Sequence, residues 1–387
     1  MNNTVRVAWL LPIAWFYWQP ALSEFTKYFP ETKVFTGLFP GFARGYENAL
    51  DVEVVGSLRN IPLAKNSQSY DATFSYLSPE IIKHLWDFKP NLVFSSSFGI
   101  WTLLALLFKF IGRWQVIIAY EGSSPGVDYL NSPLRLSLRK IMVKFADGYI
   151  SNSERGRKYL IDVLRADREL VRVQPYEVPS AKSLIERNSD SSENLSITRS
   201  QEPVFLFVGH LISRKGIKTL LEACHILHQQ GYSNYTVQII GSGEEQQKLQ
   251  KYCVEQDIAA RVRWLGRIEY SEIDFYFRNA DVFVFPTYEE TWGVVLLEAM
   301  LFGKAVISST GAGTSELVVE NENGYLFEPD CSEMLAKLMI KFIERPNLIG
   351  QMGEKSQKIM SCYTPEIAGK ALADLALSLK KKERVYA

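Results

Sequence analysis

Short apolar runs alternate with longer stretches of helical period along nearly the whole chain, and the alternation falls into two halves. In the first half the apolar and β-branched runs predict strands at Val5–Leu11, Lys33–Thr36, Val52–Val55, Leu92–Ser95, Val116–Tyr120, Gly148–Ser151 and Val171–Gln174. In the second half "VFLFVG", "YTVQIIG", "VRWLG", "DVFVFP", "KAVISS" and "GYLFE" have the same character, with helical patterns between them. Strands that alternate with helices imply parallel sheets, because a parallel neighbour can be reached only through a crossover. The Ser/Asn/Glu-rich stretch from Ser180 to Pro203 has little periodicity and reads as a linker. The expected class is therefore α/β, with two Rossmann-like, doubly wound parallel-sheet domains facing a cleft. Their expected bounds are 1–180 and 203–365, with a linker at 181–202 and a last helix at 366–387.

Two apolar segments need a separate reading. The N-terminal run carries one charge, two prolines and no small-residue cleavage site, so it reads as a core strand rather than a signal peptide. The longest run, Phe98 to Gly112, is shorter than the roughly 20 residues of a membrane-spanning helix and contains Lys109. It is expected to pack on a sheet, while its end, with Lys109 and Arg113, has the composition of a membrane-surface contact.

Charge and cysteine content narrow the class further. Lys plus Arg and Asp plus Glu both total 43 in 387 residues, so no global field attracts nucleic acid. The four cysteines lack CxxC spacing, which argues against a zinc site and a disulfide framework and suits a reducing compartment. A cytoplasmic location is expected, extending to peripheral contact with the inner face of a membrane. The pair His225 and His228 has no third ligand in view and reads as a helix surface. No D-x-D triplet occurs, so no metal or other cofactor is expected.

Candidate chemistry concentrates in the second half. In "EETWGVVLLEAMLFG" two carboxylates, Glu290 and Glu298, interrupt an otherwise apolar segment, which predicts a loop carrying Glu290 and a helix from Thr291 to Gly303. A carboxylate inside an apolar helix needs donors to offset its desolvation. Ligand hydroxyls would serve, and so would a neighbouring Arg or Lys, with Glu290 then an ordinary solvated residue. After the strand ending at Gly209, Arg214 and Lys215 precede a helical face; cations beside free backbone N–H groups suit an anion such as a diphosphate. A solvated basic turn is the plain alternative. The turn Gly241-Ser242-Gly243 lacks dinucleotide spacing, and "SSTGAGTSELV" is a third small-residue turn. Strand ends of an open parallel sheet line one crevice, so Gly209, Lys215, Gly241, Gly266, Glu290, Gly293 and Gly313 can converge.

Four pieces in order, "FVGHLISRKGIKTLLEA", "VQIIGSGEEQQKL", the long stretch "VRWLGRIEY…EAMLFGKAVISS" and "GAGTSELVVENENGYLFEPD", resemble the nucleotide-sugar domain of the retaining GT-B glycosyltransferases with an E-x7-E motif. The resemblance covers about residues 204 to 330. It implies that Glu298 holds the donor's ribose hydroxyls, that Glu290 lies near the transferred sugar and that Lys215 lies near the diphosphate. It further implies a donor-binding set of Gly209, His210, Arg214, Gly241, Gly266, Arg267, Ile268, Thr291, Gly293 and Val294. The implied reaction is metal-free transfer of a sugar, with retention, from a UDP- or GDP-sugar to an acceptor hydroxyl. Backbone amides near Gly293 and Thr314 would help Lys215 and Arg214 stabilise the leaving diphosphate. The implied acceptor is a carbohydrate, a lipid-linked sugar or a small molecule, in polysaccharide, glycolipid or other glycoconjugate synthesis, and the last helix would cross back to the first domain.

The match has departures. His210 stands where the family usually has Arg, and the first half resembles the family in layout only. There "PIAWFYWQP" replaces a Gly-Gly loop and "AYEGSSPG" replaces a His. Trp15, Tyr17 and Trp18 are candidates for the acceptor side, with core packing as the alternative. Glu121, just past a strand, is a candidate catalytic residue beside Glu290 and Lys215. Two rival functions remain: a donor-binding scaffold without transfer, and a GT-B-like sugar-nucleotide epimerase.

Overall fold

The computed structural model describes residues 5–64, 69–70, 72–185 and 202–386. The chain divides into two compact units: one takes the described residues of 1–65, 71–180 and 363–387, the other those of 66–70 and 181–362.

In the first unit the strands are β1 (Val7–Ile13), β2 (Thr32–Leu38), β3 (Asp51–Val54), β4 (Arg59–Ala64), β5 (Ala72–Tyr76), β6 (Leu92–Ser96), β7 (Gln115–Tyr120), β8 (Gly148–Ser151) and β9 (Val171–Val173). Seven of them form one parallel sheet in the order β3-β2-β1-β6-β7-β8-β9. Its central strands are buried along almost their whole length, as expected where helices cover both faces. The helices are α1 (Gln19–Thr26), α2 (Ile81–Phe88), α3 (Ile100–Gly112), α4 (Pro125–Asp128), α5 (Pro133–Phe145) and α6 (Glu154–Lys158). Every strand expected in this half is present within two residues of its expected ends. The antiparallel pair β4 and β5 was not expected, because β4 carries no alternating apolar pattern and no short turn signal joins it to β5.

The second unit begins with the short helix α7 (Ala181–Leu184). Residues 186–201, most of the expected linker, lie outside the described residues. The strands that follow are β10 (Val204–Val208), β11 (Thr236–Ile240), β12 (Val262–Gly266), β13 (Val282–Phe285), β14 (Ala305–Ser309) and β15 (Gly324–Phe327). They form a parallel sheet in the order β12-β11-β10-β13-β14-β15. Around it lie α8 (Ile217–Gln229), α9 (Gln246–Glu255), α10 (Ile273–Asn279), α11 (Val294–Leu301), α12 (Ser332–Glu344) and α13 (Asn347–Met360). Phe205, Phe207, Leu220, Val237, Ile239 and Met339 are among the fully buried residues of its core.

The last helix, α14 (Pro365–Tyr386), belongs to the first unit, where it packs along α1. Gly369 permits that approach, since a Cβ there would meet the Ala21 carbonyl at 2.9 Å and the Glu24 Cβ at 2.5 Å.

In both sheets the chain reverses its winding once, between β1 and β6 and between β10 and β13. The crevice outside the carboxyl ends of two such strands is where open α/β sheets bind ligands. In the second unit β10 leads to Arg214 and Lys215, and β13 leads to Glu289 and Glu290.

Candidate functional site

Two loops build the site. After β10 the chain makes a 3-10 turn at Ser213–Lys215 and closes it with Gly216 in the left-handed region (φ 66°) before α8 starts. Only glycine fits, because a Cβ would fall 1.9 Å from the Pro286 carbonyl oxygen just past β13. The two loops are stitched by backbone: Tyr288 N–H donates to the Arg214 carbonyl (2.8 Å), and so does the Thr287 hydroxyl (3.0 Å). The turn after β14 fixes the other side of Glu290, whose N–H donates to the Gly311 carbonyl and whose carbonyl accepts from Gly313 N–H (3.0 and 2.9 Å).

Within this frame Lys215 and Arg214 both pair with the Glu290 carboxylate, Arg214 at 3.2 Å. Arg214 also donates to the Glu289 carbonyl at 2.6 Å, which anchors the guanidinium to backbone as well as charge. Tyr70 completes the cluster: its hydroxyl donates to Glu290 (2.7 Å) and accepts from Thr291 N–H (3.2 Å). Its ring lies 3.9 Å from the Arg214 guanidinium, a cation–π contact. Burial alone would raise the Glu290 carboxyl, but the Lys215 and Arg214 cations outweigh it and hold the group down at about 2.

Glu298 has the opposite environment. It lies in α11 among buried Leu296, Leu297, Ala299 and Met300, with one partner, the Tyr270 hydroxyl, which donates at 2.8 Å. Burial pushes its carboxyl up to about 7, and the single hydrogen bond from Tyr270 offsets that only in part. Among the described residues no cation offsets the burial, so the ion-pair alternative for Glu298 is set aside.

The expected helix from Thr291 is shorter than its sequence pattern: α11 begins at Val294, after Gly293 in the left-handed region. The bonds between the Glu290 segment and the 311–314 turn hold residues 290–292 in extended pairing, which competes with helix. In the first turn of α11 the Leu296 N–H donates to the Gly293 carbonyl (3.0 Å), while the N–H groups of Val294 and Val295 precede the first intrahelical acceptors. Thr314 corrects another expectation. Its N–H already donates to the Trp292 carbonyl (3.0 Å) and the residue is fully buried, so that amide holds the loop and does not face a ligand.

Among the other candidates, Gly209, Gly241 and Gly266 come together at the ends of β10, β11 and β12. There Gly209 N–H donates to the Ile240 carbonyl and Gly241 N–H to the Gly266 carbonyl. His210 and Arg267 are exposed and Ile268 is half-buried. In the first unit Glu121 follows β7 and accepts from the Ser96 hydroxyl at 3.2 Å. Trp15 is exposed and Tyr17 half-buried. Trp18, expected on the acceptor side, is instead core: it is 2% exposed, edge-on to Trp9 at 5.8 Å and beside Tyr176 at 5.1 Å. Sequence reasoning missed Tyr70 and Tyr270. Tyr270 lies in the matched segment "RIEYSE", where an aromatic ahead of α10 was a usable signal, whereas nothing near Tyr70 in the sequence marks it. Among the described residues no group of His, Cys, Asp or Glu could hold a metal ion.

Residues 190–359 match the family model described as glycosyl transferases group 1. An uncharacterized glycosyltransferase of Haemophilus influenzae is 30% identical over 168 residues, 43% of this chain and 47% of that protein. The amylovoran biosynthesis glycosyltransferase AmsK of Erwinia amylovora is 29% identical over 177 residues, covering 44% of this chain and 43% of that one. The chain thus spans just under half the length of these curated relatives. The structure of Anabaena HepE in complex with UDP has a similar fold, with a TM-score of 0.74 at 18% identity over 97% of this chain and 100% of that one. Over residues 190–359 the chain is thus similar to glycosyl transferases group 1, and its pair of parallel-sheet Rossmann-like domains has the GT-B fold.

Proposed function

We propose that the protein is a retaining, metal-independent glycosyltransferase that moves a sugar from a UDP- or GDP-sugar to an acceptor hydroxyl. The observation that carries this reading is the Arg214–Lys215–Glu290 cluster at the winding reversal of the second sheet, with buried Glu298 on the next helix. The UDP bound to HepE, a protein of similar fold, supports a nucleotide donor.

The cluster holds two cations against one carboxylate, an excess of positive charge that a diphosphate would neutralise. As donor enters, Lys215 and Arg214 turn from Glu290 to phosphate oxygens, and Glu290 is released to accept hydrogen bonds from the sugar hydroxyls. Negative charge on the diphosphate grows as the glycosidic bond breaks, so these cations stabilise the transition state more than the ground state. Glu298, ionised, accepts from the ribose hydroxyls. Glu121, Trp15 and Tyr17 are the proposed acceptor-side residues in the first unit. The acceptor is a carbohydrate, a lipid-linked sugar or a small molecule, met in the cytoplasm or at the inner face of a membrane.

A thermal-shift titration with UDP, GDP and ADP in excess chelator tests this. One nucleotide should stabilise the protein by about 2.7 kcal/mol at a hundredfold excess over its Kd. Lys215→Ala should lose most of that shift and slow transfer by about one to two orders of magnitude, since a charge-assisted hydrogen bond contributes about 1.5 to 3 kcal/mol. The anomeric configuration of the product, read by NMR, tests retention. Activity that disappears with chelator, or normal turnover in Lys215→Ala, would overturn the leaving-group account. Nucleotide binding without transfer to any acceptor would favour a scaffold.

A further inference from the structure

The winding reversal of the first sheet also opens into a cavity, of about 510 Å³. Its walls come from the ends of β1, β6 and β7 and from α3 and α5, and its size suits a small-molecule group. Ser96, Ser97 and Glu121 supply polar atoms, and the first turn of α3 starts at its edge.

Two arginines of α5 line the same cavity. Arg139 is 9% exposed, its guanidinium held by the Tyr159 hydroxyl (2.8 Å) and set 4.9 Å from the Tyr129 ring. Arg135 lies against the same ring, 4.2 Å from the Tyr129 centroid. Neither has a carboxylate within ion-pair distance among the described residues. The nearby Asp128 carboxylate accepts instead from Tyr120 (2.6 Å) and Ser123 (2.5 Å). Two cations of one cavity that make no direct ion pair among the described residues suit an anion, and the Glu121 carboxylate and serine hydroxyls lining the same cavity suit hydroxyl groups on the same ligand.

The outer faces of these helices are unusual for a water-facing surface. Leu107, Phe110 and Ile111 of α3 and Leu134, Ile141 and Phe145 of α5 are 48% to 82% exposed. The two helices adjoin, with the Lys109 ammonium donating to the Phe145 carbonyl at 2.8 Å. Neither contains an Asp or Glu, while together they carry Lys109, Arg135, Arg139, Lys140 and Lys144. Lys109 is paired with Asp147 (2.8 Å) and Arg139 is buried at the cavity, so Arg135, Lys140 and Lys144 are the cations that frame the apolar face, a combination that complements an anionic bilayer.

We propose that α3 and α5 seat the first unit on an anionic membrane, and that the adjoining cavity takes a lipid headgroup bearing both phosphate and hydroxyls. The phosphate meets Arg135 and Arg139, and the hydroxyls meet Ser96 and Glu121. On the glycosyltransferase reading, which this deepens, that lipid is the acceptor. Membrane seating itself does not depend on that reading.

Flotation of the full chain with vesicles of phosphatidylcholine, alone or mixed with phosphatidylinositol, tests it, with nucleotide thermal shift as the check that each variant is folded. The wild type should float only with the mixed vesicles. Phe110→Asp combined with Ile111→Asp should weaken binding by more than about tenfold through lost apolar burial. Arg135→Gln should weaken it about fivefold, and Arg135→Lys should lose less on simple charge grounds but not regain full headgroup selectivity. No flotation with mixed vesicles, or equal flotation of the Phe110/Ile111 variant, overturns the proposal. A dimer in solution that does not float would assign the face to a second copy. Soluble glycerophosphoinositol raising the melting point without any flotation would assign the cavity to a free phosphate. Flotation without any nucleotide binding would leave the docking and remove the transferase; nucleotide binding without flotation would do the reverse.

Discussion

Glu290 and Glu298 share a side chain and differ in charge state because one is buried with two cations and the other with a phenol. Their linkage to stability therefore runs in opposite directions. The Glu290 carboxyl, lowered from 4.5 to about 2, stabilises the fold above 4.5 and loses that contribution as pH falls toward 2. The Glu298 carboxyl, raised from 4.5 to about 7, favours the fold while protonated, and that contribution, roughly 3 kcal/mol in all, is lost as pH rises from 4.5 through 7. Glu298→Gln, which stays neutral, should thus gain stability relative to the wild type between pH 5 and pH 8, on the order of 3 kcal/mol. Urea denaturation of both proteins across that range checks it, and parallel curves would mean that Glu298 is ionised in the ligand-free fold. The sequence marked both carboxylates, since an acid in an apolar run is conspicuous. It could not reveal their opposite shifts, because the Arg214 and Lys215 cations that lower Glu290 reach it from 76 and 75 residues away, whereas Glu298 is raised by burial.

At the level of elements, strand positions were readable because buried parallel strands are continuous apolar runs with sharp ends. What was not readable was the start of α11. Thr291 to Gly303 has helical composition throughout, and only pairing with the 311–314 turn, a tertiary effect, keeps its first residues extended. The β4–β5 pair was missed because only β5 alternates, and no short turn signal links it to a partner. The joint between the β10 and β13 loops depends on Gly216. Gly216→Ala should destabilise the protein by at least about 2 kcal/mol, combining the left-handed penalty with displacement of the Pro286 carbonyl. Because that displacement moves the Arg214 and Glu290 loops apart, nucleotide affinity should fall with it. Chemical denaturation and a binding titration measure the two effects, and unchanged affinity at reduced stability would show that the cluster does not need this joint.

For the whole molecule, two sheets of similar winding each place charged residues at their reversal point. The charges differ: in the second unit the cations are paired to Glu290, whereas in the first Arg135 and Arg139 line a cavity and pair with no carboxylate among the described residues. The two-half organisation was visible in the sequence as a repeated alternation. The cavity of the first unit was not, because α5 contributes it from a segment whose arginines look like an ordinary basic helix face. Packing of α14 on α1 is equally specific: Gly369→Leu should lower the melting point of the protein by several degrees, on the order of 2 kcal/mol for overpacking against the Ala21 and Glu24 backbone turn. Calorimetry reads this directly, and an unchanged transition would mean that α14 contributes little to the first unit.

The same helix has a consequence for biosynthesis. The first unit's sheet is finished by residue 180, yet α14 joins it only from residue 363. At about 5 to 20 residues per second, a ribosome needs roughly 10 to 40 s to supply that missing piece. Throughout that interval the part of α1 that α14 covers, around the Ala21 carbonyl and Glu24, is bare in the nascent chain. The second unit, contiguous but for residues 66–70, can close first, so the N-terminal half is the later one to reach its native state.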